Sequence, residues 1–259
     1  MMEYAIYPFL TMRITQRHDE GNHLAHWYPF KKCSDKPWDE ATEDGGRGYF
    51  VPQNDYKVVE KLGNQSGGYN VRLETVNKVK IPYQDNPVIL EITLTHMNYD
   101  DYSKIKVGQI LKKGTKILRE GTSGKATGNH FHCTVNIGKY YGFKKNGNEK
   151  YCFVYEKALI VNEAFYIDKK INNILNTKDY IFKEVPKSFL PERGYFTKGD
   201  SGDKIEKIDE FFSDKVKGNI YGDYTVALVK EFQKQSGLTQ DGCIGPKTLA
   251  KMKEKGFKE

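Results

Sequence analysis

The chain has 259 residues and carries 41 Lys plus Arg against 34 Asp plus Glu, a net charge of +7, with 38% hydrophobic and 29% charged residues. That apolar share, with 18 Tyr and 14 Phe, supplies a core and excludes wholesale disorder, and the length suits two modest domains better than one large one. No stretch approaches the roughly 20 apolar residues that cross a bilayer, so no stable membrane insertion is expected, while the basic excess favours anionic surfaces without choosing between nucleic acid, wall polymer and membrane.

Residues 1–16 have Glu3 near the front, no basic leader and no small-residue cleavage site, and do not read as a secretory signal. The cysteines, Cys33, Cys133, Cys152 and Cys243, show no CxxC spacing. A structural zinc knot and a disulfide framework are therefore not expected, and free thiols are.

Strand signals crowd 57–62, 69–76, 88–97 and 131–137, punctuated by turn clusters such as Gly63-Asn64-Gln65-Ser66-Gly67-Gly68. Short strands without a long amphipathic helix predict an antiparallel β domain. In Leu90-Glu91-Ile92-Thr93-Leu94-Thr95-His96, alternation places His96 in line with Leu90, Ile92 and Leu94 at the end of an inward-facing row. Such a histidine is an active-site residue or a cap on the core edge.

The most informative segment is Ala126-Thr127-Gly128-Asn129-His130-Phe131-His132. As a strand it puts His130, His132, Thr134 and Asn136 on one face and Phe131, Cys133, Val135 and Ile137 on the other. Two imidazoles backed by an apolar layer can hold a metal ion and move a proton beside it. A surface strand that merely carries two histidines is the plainer alternative. Cys133, on the apolar face, reads as core.

Residues 143–175 mix aromatic side chains with Lys and Asn and extend the first domain. The stretch 181–195, with Pro186, Pro191 and Gly194, reads as a linker. Beyond it the period changes to 3.6: Ile205, Ile208, Phe211 and Phe212 share a helix face, as do Val226, Val229 and Phe232. Asp223 is a candidate N-cap, and Pro246 suits the first turn of a third helix that stops at Gly256. The expected fold class is α+β, an antiparallel β-sheet domain over 1–180 and a three-helix bundle over 196–259.

Two resemblances follow from particular residues. Phe196-Thr197-Lys198-Gly199-Asp200-Ser201-Gly202-Asp203, Tyr221 to Lys234, and Gly237 to Thr248 with its Asp241-Gly242-Cys243-Ile244-Gly245-Pro246 core resemble the helical peptidoglycan-binding domain of wall hydrolases. The resemblance implies peptidoglycan as partner rather than nucleic acid, with Tyr221, Tyr224 and Asp241 as candidate ligand contacts and packing as their alternative role.

Ile14-Thr15-Gln16, Asn22-His23, Pro37-Trp38-Asp39-Glu40-Ala41 leading to Asp44-Gly45-Gly46-Arg47, Thr95-His96, Val107-Gly108-Gln109, and Glu120-Gly121 leading to the two-histidine strand resemble the lysostaphin-like zinc metallo-endopeptidases of phage lysins. By that resemblance the zinc ligands are His23, Asp39 and His132, leaving one tetrahedral position open. His130 and His96 are then the histidines that deprotonate the attacking water and protonate the leaving amine. The spacing between His23 and Asp39 is longer than the family pattern, and His26 is a rival first ligand. The implied protein is a phage endolysin held in the host cytoplasm until lysis and then acting on the cell wall. The alternative is a non-catalytic wall-binding protein with a degenerate peptidase fold.

Overall fold

The computed structural model describes residues 3–23, 36–41, 48–65, 67–145, 151–213 and 218–259. His26 and the segment Asp44-Gly45-Gly46-Arg47 lie outside them. The fold is α+β and divides into two compact units, Met2–Val185 and Pro186–Glu259.

The first unit contains β1 (Glu3–Tyr4), β2 (Thr11–Gln16), β3 (Trp38–Glu40), β4 (Tyr49–Phe50), β5 (Tyr56–Gln65), β6 (Gly68–Thr75), β7 (Val79–Lys80), β8 (Glu91–Thr95), β9 (Ile110–Leu111), β10 (Ile117–Arg119), β11 (Phe131–Lys145), β12 (Tyr151–Leu159) and β13 (Asn173–Asn176), with short helices α1 (Tyr99–Lys104) and α2 (Val161–Ala164). Its main sheet has nine strands in the order β13-β2-β3-β11-β8-β6-β5-β9, with β12 also paired to β11. All of these pairings are antiparallel except β13 with β2.

Alternation along β11 sorts the sheet into two faces. Phe131, Cys133 and Val135 are fully buried against Ile92 and Leu94 of β8, Val71 and Leu73 of β6, Met12 and Ile14 of β2, and Trp38 of β3. This is the core face, and it accounts for the apolar half of each strand's pattern. The opposite face carries the pairs His132 with Asp39, His132 with Thr95, Thr134 with Thr93, and Arg72 with Thr93.

Register shifts between Ile137 and Gly142 bend the β11–β12 hairpin. Gly138 is needed at one of them, because its φ is +83° and a Cβ there would sit 2.5 Å from Glu156 Oε2. The bend lays Tyr140 and Tyr155 over Arg72, whose guanidinium stands 3.5 Å from the Tyr140 ring centroid. Arg72 donates from Nε to the Tyr155 hydroxyl at 2.9 Å, from Nη1 to Glu60 at 2.6 Å and from Nη2 to Glu91 at 2.8 Å.

The second unit packs α3 (Asp203–Phe212), α4 (Asp223–Gln235) and α5 (Pro246–Glu254). Ile205, Ile208, Val229 and Met252 are fully buried with Tyr221 and Ile244. The 3.6-residue periodicity thus maps onto the observed helices. The N-cap of α4 is Gly222 rather than Asp223, Pro246 opens α5, and Gly256 follows it with φ +100°.

The stretch 181–195 is built into both units. Ile167 N donates to Lys183 O and Val185 N to Ile167 O in the first, while Phe189 and Leu190 are buried in the second core.

Candidate metal centre

Asp39 and His132 are directly opposed on β3 and β11, so their side chains leave the same face of the sheet. His23 ends a one-turn 3-10 helix (Gly21–His23) and is 3% exposed. The three meet. His23 Nε2 lies 3.1 Å from Asp39 Oδ1, His132 Nδ1 lies 3.1 Å from the same oxygen, and the two nitrogens are 3.1 Å apart. Among the described residues this is the single group of three or more His, Cys, Asp or Glu whose donor atoms converge this closely.

Hydrogen-bond bookkeeping shows what such a triangle requires. His23 Nδ1 is 2.8 Å from the Arg17 carbonyl, which can only accept, so Nδ1 carries the proton. The Nε2 of neutral His23 then points a lone pair at a carboxylate oxygen and at another imidazole nitrogen. A cation held among the three donors would resolve this crowding. In a tetrahedral zinc site with bonds near 2.0–2.1 Å, ligand atoms stand roughly 3.3 Å apart, close to the 3.1 Å edges found here. A His, Asp and His donor set fits zinc, with one coordination position left open.

His96 and His130 flank the triangle. Their ring centroids are 4.8 Å apart, His96 is 5.9 Å from His132, and His130 Nε2 stands 3.8 Å from Asp39 Oδ1. His130 Nδ1 is 2.8 Å from Gly128 O and His96 Nδ1 is 2.7 Å from Ser123 O. Both rings, like His23, therefore spend their Nδ1 proton on a main-chain carbonyl and keep the lone pair on Nε2.

Simple alternation puts His96 on the core face with Leu94, and the structure corrects this. β8 ends at Thr95 and His96 takes φ +64°, a left-handed conformation uncommon for a residue with a side chain. That single reversal turns the imidazole away from the row of Leu90, Ile92 and Leu94 and toward the other histidines.

The electrostatics follow from burial and proximity. Burial draws His96 down to about 4, with the neighbouring imidazoles of His132 and His130 acting in the same direction and its bond to Ser123 and the Asp39 carboxylate opposing. For Asp39 burial acts upward, yet the imidazoles of His132 and His23 beside it outweigh that and hold the carboxyl well below the usual carboxylate range. Its neighbour Glu40 projects to the core face and is fully buried, so burial, with Glu120 adding, pushes its carboxyl well up. Cys133 is buried and free, as its place on the apolar face implies.

In the helical unit, Tyr221 does not offer a ligand contact. It is fully buried and donates its hydroxyl to Gly242 O at 2.9 Å. Asp241 is committed to its own turn, accepting from Gln233 Nε2 and Cys243 N at 2.8 Å each. Tyr224 is 58% exposed. Asp241 is exposed as well, so of the three candidates Tyr224 and Asp241 face outward and Tyr221 alone is buried.

The roles of Arg17, Ser123 and Gly128 were not visible beforehand, since each acts through its carbonyl and a carbonyl has no residue signature. Gly121-Thr122-Ser123-Gly124 announces a turn, and nothing more.

Residues 207–252 match the family model described as "Putative peptidoglycan binding domain". The helical unit is similar to a wall-binding module. No curated protein matches the chain. Among solved structures, the chain is similar to a zinc containing peptidase from Vibrio cholerae at 19% identity, over 59% of this chain and 38% of that one, with a TM-score of 0.33. It is similar to the catalytic domain of a variant of the prophage-encoded protein EnpA from Enterococcus faecalis at 18% identity, over 60% and 94%, TM-score 0.34. A third likeness is to the catalytic domain of lysostaphin from Staphylococcus simulans, at 20% identity over 49% and 81%, TM-score 0.29. The match spans well under half the length of the Vibrio chain.

Proposed function

We propose that the chain is a zinc-dependent peptidoglycan endopeptidase, a phage endolysin that cuts an amide bond in the stem peptide or cross-bridge of the bacterial wall. The observation that carries this reading is the triangle of His23, Asp39 and His132 with the Nε2 atoms of His96 and His130 beside it. Bound zinc supplies a Lewis acid with one open position. The Nδ1 protons of His130 and His96 are committed to Gly128 O and Ser123 O, so each ring presents a basic Nε2. Either can accept a proton from an attacking water and return it to the leaving amine. Burial keeps His96 uncharged near neutral pH and so in the accepting form.

The wall-binding match over 207–252 supports peptidoglycan as the partner. Tethering raises the local concentration of enzyme at an insoluble polymer without adding a catalytic contact. The net charge of +7 suits an anionic wall. Within this reading the protein waits in the host cytoplasm and reaches the wall at lysis. No helix of the described residues is long and apolar enough to cross a membrane.

The test is elemental analysis together with digestion of purified peptidoglycan. One zinc per chain and release of new amino termini are expected. A zinc-loaded protein that binds walls and releases none would replace the enzyme with a non-catalytic wall-binding protein.

A further inference from the structure

His96 stands in a left-handed conformation, φ +64°, directly after β8. A residue with a side chain stays there only where its surroundings over-determine it. His96 N donates to Gly67 O at 3.2 Å, Met97 N to Tyr69 O at 3.2 Å, and His96 Nδ1 to Ser123 O at 2.7 Å. Ser123 contributes a second bond: its hydroxyl accepts from Tyr69 N at 3.0 Å. The segment 67–69, which holds the backbone on both sides of the His96 ring, is therefore tied to the residue whose carbonyl orients that ring.

This clasp is too close for side chains at two positions. Gly68 has φ +71°, and a Cβ there would lie 2.3 Å from the Ser123 carbonyl carbon. A Cβ on Gly121 would lie 2.7 Å from His96 O. Both contacts are with main chain and cannot be relieved by rotating a side chain.

We propose that Ser123 is a positioning residue for His96: its hydroxyl pins the 121–124 turn to Tyr69 and so keeps its carbonyl on Nδ1, which fixes the lone pair on Nε2. Loss of the hydroxyl leaves the carbonyl in the chain but releases the turn that aims it. The imidazole then samples both tautomers. The catalytic consequence rests on the endopeptidase reading above, whereas the tautomer itself does not.

The experiment uses the full-length zinc-loaded protein with Ser123→Ala, Ser123→Thr and Ser123→Cys. Nitrogen-15 NMR of the histidine rings at neutral pH reports which His96 nitrogen carries the proton. Wild type and Ser123→Thr should show a protonated Nδ1, and Ser123→Ala an averaged pair. On wall fragments Ser123→Ala should lose about 10-fold to 100-fold in kcat with KM within about twofold and one zinc per chain retained. Ser123→Thr should restore kcat, and Ser123→Cys, a near-isostere with a poor acceptor, should behave like Ser123→Ala if the alanine variant does not fold. A wild-type His96 protonated on Nε2 overturns the proposal, as does a Ser123→Ala protein with wild-type ring shifts. A wild type that releases no amino termini sinks the endopeptidase reading and leaves the tautomer result to decide the role of Ser123.

Discussion

Asp39→Asn tests the metal centre most directly, because Asp39 Oδ1 is the oxygen to which both imidazole nitrogens converge at 3.1 Å. A ligand that binds only the folded state stabilises it by RT ln(1 + [L]/Kd), about 2.7 kcal/mol when free zinc is 100 times Kd. For a unit the size of Met2–Val185, where 1 kcal/mol moves Tm by roughly 2–4 °C, zinc should raise the midpoint by about 5–11 °C. Disturbing a partner outside the ligand set already costs about 10-fold to 100-fold in affinity. Replacing a ligand carboxylate by a neutral amide is expected to cost at least the upper figure, leaving about 0.4 kcal/mol and a shift of about 1–2 °C at the same zinc concentration. Tryptophan fluorescence is the suitable signal, since Trp38 is buried in the core of the first unit and the sequence has no tryptophan in 186–259. Equal zinc-induced shifts in wild type and Asp39→Asn would refute the assignment of Asp39.

The flanking histidines should separate binding from chemistry: His130→Ala and His96→Ala each keep one zinc per chain by elemental analysis and lose about 10²-fold to 10⁴-fold in kcat, and loss of the metal in either would contradict their placement. Arg72→Met leaves Glu91 and the Tyr155 hydroxyl without their donor and should lower stability by about 3 kcal/mol in urea titrations, a loss below about 1 kcal/mol counting against the clamp. In the helical unit, burial raises the Asp209 carboxyl, with its bond from Thr225 opposing. The fold thus favours the protonated form, and stability falls as pH rises from the ordinary carboxylate range through the raised folded value. Asp209→Asn, which can still accept from Thr225, should match wild type at pH 3 and be the more stable of the two at pH 7, read by far-ultraviolet circular dichroism; a less stable variant at pH 7 would contradict the sign.

Alternation in the two-histidine strand was legible because both faces of β11 are strictly chosen: Phe131, Cys133 and Val135 are fully buried and cannot exchange with their polar neighbours. The helices were legible for a related reason, the packing of Ile205, Ile208 and Val229 into one core. His96 was not, since a single left-handed residue reverses the pattern and a histidine carries no mark of that conformation. Tyr221 misled because an aromatic side chain with a polar tip suits a ligand groove and a core equally well, and only its bond to Gly242 O distinguishes them. The spacing of His23 from Asp39 told little about their distance, because the chain joining a 3-10 turn to a strand can be of many lengths without moving its ends.

β3 has three residues, and its two neighbours along the chain, Trp38 and Glu40, both face the core while Asp39 faces the histidines. A slip of one position against β11 would place an indole or the wrong carboxylate beside His132 and expose Asp39 to the apolar interior. Three residues supply few ladder bonds with which to reject that error. Under the proposed zinc reading, an ion taking an oxygen from position 39 and nitrogens from 23 and 132 at once would reward a single alignment and so act as a proofreader of strand assembly, and chains folded without it should contain a fraction mispaired between β3 and β11.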